Sequence, residues 1–373
     1  MNSGSNTRDV KRGNMEKNNQ GIKSHLFSLI LCAFSLLFLV LYLVKVDGLS
    51  AAAIVLKQTR VVWLLAAVGC IIVYWLLEAY ALQLTLKVVY PKQLFRDTLH
   101  ISMIGQFFNN ITPFASGGQP MQAYFLTRRG TALGSSMTAL LTKFIVYQIT
   151  LTVYCLVTII LRFSFFAGAV HDLIYLVLVG FAVSAGVTSF LIGAAFFKNG
   201  MIRAARIIIR VLAKIKIVKH PDTRLASAVT EIEKFNTQFK EMRSHKTMLF
   251  KTCLITVAQL TAMFLIGNVI YISFGLSGAD ALTLIAGQAF VCMVSSYVPT
   301  PGAMGAAEGS FALFFGLFFP NKLISLAVVL WRLITFYLPI VVGLIFTVIE
   351  KRRTPVYPVD NIPSVDITAK VYE

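Results

Sequence analysis

The sequence lacks the charge that a soluble protein of its size carries on its surface. Only 13% of its 373 residues are charged, whereas 57% are hydrophobic, and the mean hydropathy is +0.75. Soluble domains have about 25% charged residues and need fewer apolar ones to build a core. The composition therefore predicts an integral membrane protein.

Acidic residues and clustered metal ligands are also scarce. The chain has 16 Asp and Glu against 34 Lys and Arg, and its net charge is +18. The basic residues stand in blocks between apolar runs rather than alternating with aromatics, so we expect lipid headgroups as partners and no nucleic acid. The five cysteines and five histidines are scattered, without a Cys-x-x-Cys spacing, so we expect no metal site.

Motifs for soluble enzyme chemistry are missing as well. The sequence has no P-loop, no HExxH, no GxSxG and no long soluble portion. We therefore expect no cofactor and no catalytic residue, and we do not expect catalysis by this chain alone.

Six apolar runs are long enough to cross a hydrocarbon core, which takes about 20 residues. The loops between them alternate between basic and nearly uncharged, which predicts that both termini are cytoplasmic. The basic segment 198–246 has the pattern of an amphipathic helix on the cytoplasmic membrane surface, although a solvated connector is the alternative. The six predicted spans are Leu26–Val46, Val61–Leu82, Ser136–Leu161, Leu173–Phe197, Thr252–Phe274 and Leu323–Ile349.

Two further apolar stretches are too short to span and contain Thr-Pro breaks. Thr98–Phe108 leads into the break at Thr112, and Ala281–Val298 leads into the break at Thr300. A helix of ten residues is only about 15 Å long, so each stretch with its returning partner predicts a re-entrant hairpin. Broken backbone at membrane depth needs protein or water around it, so we expect both breaks to line a cavity.

The two broken stretches resemble each other in sequence. Gly105-Gln-Phe-Phe matches Gly287-Gln-Ala-Phe, and both breaks read Thr-Pro-x-Ala-x-Gly. Each is preceded by two spans and followed by one, which predicts an inverted repeat, with chance similarity as the alternative. The fold class is therefore all-α integral membrane protein, with about six full spans plus two re-entrant helical hairpins. The predicted parts are a cytoplasmic N-terminal tail (1–25), a first membrane repeat (26–170) with hairpin 98–128, a second repeat (171–349) with the basic segment 198–246 and hairpin 281–319, and a disordered cytoplasmic tail (350–373).

The breaks and four ionisable residues within apolar runs are the candidate binding groups. Half-helices beginning near Pro120 and Ala306 point positive ends toward the membrane centre, and glycines beside them leave backbone N–H groups uncovered, which suits a phosphate or carboxylate. Tight turning and helix packing are the alternative role of the glycines. The predicted headgroup-binding residues are Thr112, Pro113, Gly117, Gly118, Gln119, Lys143, Thr300, Pro301, Gly302, Gly305, Glu308 and Arg332.

Charged groups in a membrane are costly and mark function. Arg332 is the natural cation for Glu308 or for a lipid phosphate, and a purely structural pair with Glu308 is the alternative. Lys143 either extends to the cytoplasmic face or contacts phosphate. Glu78 and Glu308 are the candidate proton sites, with an interfacial location as the alternative for Glu78.

Three motifs in order resemble the lysylphosphatidylglycerol synthase transmembrane-region family. They are the stretch from Asn109 to Pro120 with Arg129-Gly130 after it, the stretch from Val298 to Glu308, and the stretch from Trp331 to Pro339. The resemblance covers nearly all of the chain between Leu26 and Ile349. It implies the flippase-like membrane portion of phosphatidylglycerol lysyltransferase, the multiple peptide resistance factor of the bacterial cytoplasmic membrane.

The resemblance implies binding and translocation of a phospholipid, anionic or lysylated phosphatidylglycerol. One alternative is phosphatidylglycerol lysyltransferase or its membrane subunit, which supports resistance to cationic antimicrobial peptides. The chain ends soon after its last span, so we expect the synthase domain to be absent and a separate synthase protein to be a candidate partner. A proton-coupled small-solute transporter is the second alternative. The sequence does not decide whether the protein forms a homo-oligomer.

Cysteine labelling tests the depth of the two breaks. In a background without the five native cysteines, we expect cysteines at Thr112 and Thr300 to react with a bulky, impermeant maleimide far more slowly than one at Arg203 in the basic segment. A gel-shift assay measures the rates. Equal rates would place both breaks on surface loops.

Overall fold

The computed structural model describes residues 59–162, 165, 180–186, 189, 193, 198–214, 221–296 and 298–353. Helices make up nearly all of this part of the chain. Residues 165, 180–186, 189 and 193 are also helical. The other helices are α1 (Val61–Val89), α2 (Phe95–Ile111), α3 (Gly118–Arg128), α4 (Leu133–Leu161), α5 (Lys198–Lys214), α6 (Pro221–Ser244), α7 (Lys246–Ser273), α8 (Ala281–Ser295), α9 (Ala306–Phe315), α10 (Asn321–Arg332) and α11 (Leu338–Arg353).

Within the described residues, four helices are long and apolar enough to cross a membrane. They are α1, α4, α7 and the nearly continuous stretch Asn321–Glu350 made by α10 and α11. The 29 residues of α1 extend about 44 Å at 1.5 Å per residue, more than the ~30 Å hydrocarbon core. Apolar side chains such as Val62 and Leu65 are exposed on its outer side, as lipid contact requires. The protein is an all-α membrane protein.

Each of these four helices corresponds to one of the six predicted spans. Leu26–Val46 lies outside the described residues, and Leu173–Phe197 is described only at 180–186, 189 and 193. The most buried of the four is α7, which packs along α1 and also contacts α4 and α8. The core therefore forms around α7.

Two short helix pairs follow the long helices. α2 packs against α3, and α8 packs against α9. With 17, 11, 15 and 10 residues, these helices measure only about 15 to 26 Å. The first returning helix begins at Gly118, two residues before the predicted start at Pro120, whereas α9 begins at the predicted Ala306.

The Thr-Pro breaks in the two pairs have the same backbone conformation. Thr112 has φ −112° and ψ 146°, and Thr300 has φ −103° and ψ 147°. Two residues later, Phe114 (φ 55°, ψ 20°) matches Gly302 (φ 59°, ψ 18°) in the left-handed region. Non-glycine residues such as Phe114 rarely adopt this region, so its match with Gly302 is a specific structural likeness.

Each break contains a short 3₁₀ turn, Pro113–Ala115 in the first and Pro301–Ala303 in the second, and these two turns contact each other. The sequence likeness of the two stretches is thus also a likeness of backbone, and the two breaks contact each other.

The basic segment 198–246 forms two helices, α5 and α6, which pack on each other. Arg203, Arg206 and Arg210 are exposed on α5. The amide of Gln238 on α6 donates to Ser135 Oγ (3.2 Å) and its oxygen accepts from Thr138 Oγ1 (3.0 Å), which holds α6 against the start of α4. Its placement on the membrane surface stays a prediction.

A close approach of α11 to α2 generates a stability prediction. A Cβ at Gly343 would lie 2.7 Å from the Met103 carbonyl oxygen and 2.8 Å from Phe107 Cβ. Because backbone cannot move aside cheaply, we expect Gly343→Ala to destabilise the protein by about 1–3 kcal/mol. Thermal unfolding in detergent measures the loss.

Gly69→Ala is the matched control, since Gly69 lies in α1 with nothing within 4 Å of an added Cβ. There the substitution is expected to leave stability unchanged or raise it by up to ~1 kcal/mol. Equal unfolding temperatures for the two variants would contradict the close packing of α11 on α2.

Candidate functional site

Two adjoining cavities lie beside the paired breaks. One has a volume of about 240 Å³ and the other about 690 Å³. They share six lining residues, so they lie next to each other. The shared residues are Tyr74, Asn109, Phe114, Ala115, Tyr147 and Ser296.

Arg332 lines the smaller cavity and is the most buried cation of the site. It ends α10, and only 4% of its surface is exposed. Its guanidinium carbon lies 5.0 Å from the Trp331 ring centre and 5.3 Å from that of Phe336, so aromatic faces supply part of its stabilisation. Its Nη2 atom has no hydrogen-bond partner among the described residues. An anion entering the cavity would find an unused charged donor.

Glu308 balances the charge of Arg332. Its Oε1 lies 2.7 Å from Arg332 Nε, as an ion pair rather than an aligned hydrogen bond, and its Oε2 accepts from the Gly305 amide at 2.7 Å. Glu308 is the third residue of α9, where a carboxylate also gains from the helix dipole. The predicted Glu308 and Arg332 partnership is therefore present in the structure.

Stacked aromatic rings hold these two helices together. Phe311 on α9 stacks on Trp331 of α10 at 4.7 Å between ring centres, and both are buried. The stacking fixes the start of α9 beside the end of α10, which positions Glu308 against Arg332.

A second buried ion pair lines the larger cavity. Lys143 on α4 donates to Glu78 Oε1 on α1, and Gln259 on α7 donates to Glu78 Oε2 at 2.6 Å. Three membrane helices thus converge on one carboxylate. Sequence reasoning named both charged residues but did not pair them.

The prediction of uncovered loop amides is wrong for three of the four glycines. The Gly117 N–H donates to Thr112 Oγ1 and the Gly118 N–H donates to Asn109 Oδ1, both at 2.9 Å. The Gly305 N–H donates to Glu308. Because lipid offers no partners, the protein satisfies these amides with its own side chains.

The glycines are needed for space. A Cβ at Gly118 would lie 2.2 Å from Asn109 Oδ1, and one at Gly302 would lie 2.0 Å from the Phe336 ring. Close packing around the breaks therefore accounts for these two glycines without a ligand.

The predicted site residues divide into three groups. Glu78, Gln119 and Lys143 line the larger cavity, and Thr300, Gly302 and Arg332 line the smaller one. The remaining ones line neither cavity and instead build the breaks around them. They are Thr112, Pro113, Gly117, Gly118, Pro301, Gly305 and Glu308.

Sequence reasoning missed several cavity residues that lie one helical turn from a charge. Tyr74 precedes Glu78 by four residues, Tyr147 follows Lys143 by four, and Thr335 follows Arg332 by three. Residues at these spacings share a helix face, so each pattern was a usable signal. Asn109, Asn110 and Gln259 were missed because they lie near charges only through folding.

A further ion cluster lies at one end of α2, outside the cavities. Arg129 lies 2.9 Å from Asp97 and donates to Glu350 at 2.7 and 2.5 Å, and His100 Nδ1 is 3.5 Å from Glu350. Burial lowers the pKa of Arg129, but the pairing with Glu350 and Asp97 outweighs it, and the pKa is raised. The cluster joins α2, the α3–α4 turn and α11.

Comparison with known proteins gives two matches. The family described as Lysylphosphatidylglycerol synthase TM region matches residues 27–343. A UPF0104 membrane protein of Archaeoglobus fulgidus is 27% identical over 327 residues, which cover 80% of this chain and 93% of that protein. The matched region includes both breaks and both buried ion pairs.

A double-mutant cycle tests the pair of Glu78 and Lys143. Each single change, Glu78→Gln or Lys143→Met, leaves a buried charge without its partner and is expected to cost about 3–5 kcal/mol. The double variant is expected to lose much less than the sum, because no unpaired charge remains. Thermal unfolding in detergent measures all three.

Arg162→Gln serves as the control, since Arg162 pairs with Asp280 in a more exposed position. Such pairs are worth at most about 1 kcal/mol. Additive losses in the double variant would show that Glu78 and Lys143 do not interact.

Proposed function

Because the chain belongs to the Lysylphosphatidylglycerol synthase TM region family, we propose that it binds a phospholipid headgroup between its helices and translocates the lipid between leaflets. Lysylphosphatidylglycerol, the lipid in the family's name, and unmodified phosphatidylglycerol both carry a phosphodiester that suits the site. The proposal includes a bacterial cytoplasmic membrane and cytoplasmic termini.

The observation that carries the proposal is the unused donor on buried Arg332. A guanidinium in an apolar setting is costly, and leaving one of its donors without a partner adds to the cost. Phosphate oxygens accept from guanidinium N–H groups in charge-assisted bonds, which strengthen where water is excluded. A lipid phosphate in the smaller cavity would supply that partner.

The adjoining cavities suggest a route past the breaks. A headgroup leaving Arg332 would pass the shared wall of Tyr74, Asn109 and Tyr147 and enter the larger cavity, where Lys143 provides a second cation. Lys143 is paired with Glu78, so its attraction for phosphate grows only as that pair loosens. We propose Arg332 as the first binding position and Lys143 as the second.

Lipid exchange in vesicles tests the function. We expect the purified protein in phosphatidylglycerol-containing vesicles to accelerate leaflet exchange of a fluorescent phosphatidylglycerol, measured by quenching of the outer leaflet. Arg332→Lys keeps the charge but removes the forked guanidinium donors. Losing one charge-assisted bond costs about 1.5–3 kcal/mol, so exchange is expected to slow about ten- to a hundredfold.

Arg162→Lys is the matched control, because Arg162 lies outside both cavities. This variant is expected to exchange lipid at the same rate as the unmodified protein. Exchange no faster than in protein-free vesicles, or equal rates for the two variants, would contradict the proposal. Lysyl-lipid formation by the purified chain would favour the transferase. Uptake of a small solute that depends on a pH gradient, without lipid exchange, would favour the proton-coupled transporter.

A further inference from the structure

We infer that the headgroup bound at Arg332 is a phosphodiester with uncharged hydroxyl groups and no amine. The inference rests on the proposed function and specifies its substrate class. It follows from which donors, acceptors and charges around the two cavities are already used within the protein.

Apart from Arg332 Nε, which is paired with Glu308, three buried polar atoms on residues of the smaller cavity have no hydrogen-bond partner within the described part of the chain, and one of them is the neutral donor Trp331 Nε1. Arg332 Nη2 is a charged donor without an acceptor, and Gln288 Oε1 is an acceptor without a donor. Gln288 is only 2% exposed, so bulk water does not easily supply the missing donor. A complementary ligand must present anionic acceptors to the donors and a hydrogen-bond donor to Gln288.

A hydroxyl group is the better match for that donor than an ammonium. Of the described residues, Glu78 is the only carboxylate that lines either cavity, against the two cations Lys143 and Arg332. A neutral amide oxygen satisfies a hydroxyl in full, whereas a buried ammonium also needs a counter-charge to offset its desolvation.

Neither carboxylate of the two ion pairs is available to supply that counter-charge. Glu78 accepts from Lys143 with one oxygen and from Gln259 with the other. Glu308 is engaged by Arg332 and by the Gly305 amide, and it lines neither cavity. An amine-bearing headgroup would have to break one of these pairs to gain a partner.

A lipid panel tests the headgroup class with the full chain in detergent. Native mass spectrometry measures the affinities of phosphatidylglycerol, phosphatidylinositol, phosphatidylethanolamine and lysylphosphatidylglycerol. We expect phosphatidylglycerol and phosphatidylinositol, whose headgroups carry hydroxyls and no amine, to bind at least about tenfold more tightly than the two amine-bearing lipids, which corresponds to about 1.4 kcal/mol. Glycerol 3-phosphate and inorganic phosphate are included to distinguish a lipid from a free anion.

A near-isosteric substitution tests the role of Gln288 directly. Gln288→Glu places a negative charge where the unused oxygen lies, so the affinity ratio of phosphatidylglycerol to phosphatidylethanolamine is expected to fall at least about tenfold. Gln238→Glu adds the same charge on α6, outside both cavities, and is expected to keep the original ratio. Unfolding temperatures confirm that each variant is folded, and Gln288→Met, which removes the acceptor without adding charge, is the second variant.

The outcomes separate this inference from the proposed function. Equal or tighter binding of the amine-bearing lipids, or an unchanged ratio in Gln288→Glu and Gln288→Met, overturns the headgroup class while leaving lipid translocation in place. Tighter binding of the free phosphates than of any lipid overturns the lipid source. If no lipid binds and exchange is not accelerated, the proposed function fails as well.

Discussion

The constraint on which the rest of this structure depends is the burial of the Arg332 charge in apolar surroundings. A guanidinium there needs a counter-charge, aromatic faces and acceptors, and each comes from a different element. Glu308 supplies the counter-charge from the first turn of α9, and Trp331 and Phe336 supply ring faces. The stacking of Phe311 on Trp331 then keeps α9 in place. Within the described residues, no acceptor is present for the Arg332 Nη2 donor.

The same demand for internal partners explains the form of the two breaks. A helix that stops inside a bilayer exposes amides that lipid cannot satisfy. Thr112 and Asn109 cap the amides at the first break, and Glu308 caps Gly305 at the second. The proline fixes the turn, and small residues let the capping side chains approach. Thr, Pro and Gly recur in both stretches because the shared backbone geometry requires them.

The helices could be predicted from the sequence because they depend on local composition. Four long apolar runs became the helices α1, α4, α7 and α10 with α11, and the likeness of the Thr112 and Thr300 stretches proved to be a likeness of backbone angles. The Glu308 and Arg332 partnership was predictable, because a carboxylate in the first turn of a helix and a lone cation in a span each need the other.

The interior of the site was less predictable because it depends on how helices meet. Glu78 and Lys143 are 65 residues apart, and Gln259 is 181 residues from Glu78, so no local pattern pairs them. The amides of Gly117 and Gly118 were expected to face a ligand, since hydrophobicity alone does not show that Asn109 folds back across nine residues. A rule that buried amides find internal partners before external ones would have corrected that expectation.

The π-helical turn Leu333–Tyr337, directly after Arg332, has a consequence for the last membrane crossing. A π turn inserts one extra residue into the spiral, and each residue of an α-helix advances by about 100°. The side chains before and after the turn therefore follow two different phases. In the first phase α10 turns Arg332 toward the cavity beside α9, and in the second α11 turns Gly343 into contact with α2. The stretch formed by α10 and α11 therefore contacts α9 with one face and α2 with another, whereas a regular helix would have to contact both with a single continuous face.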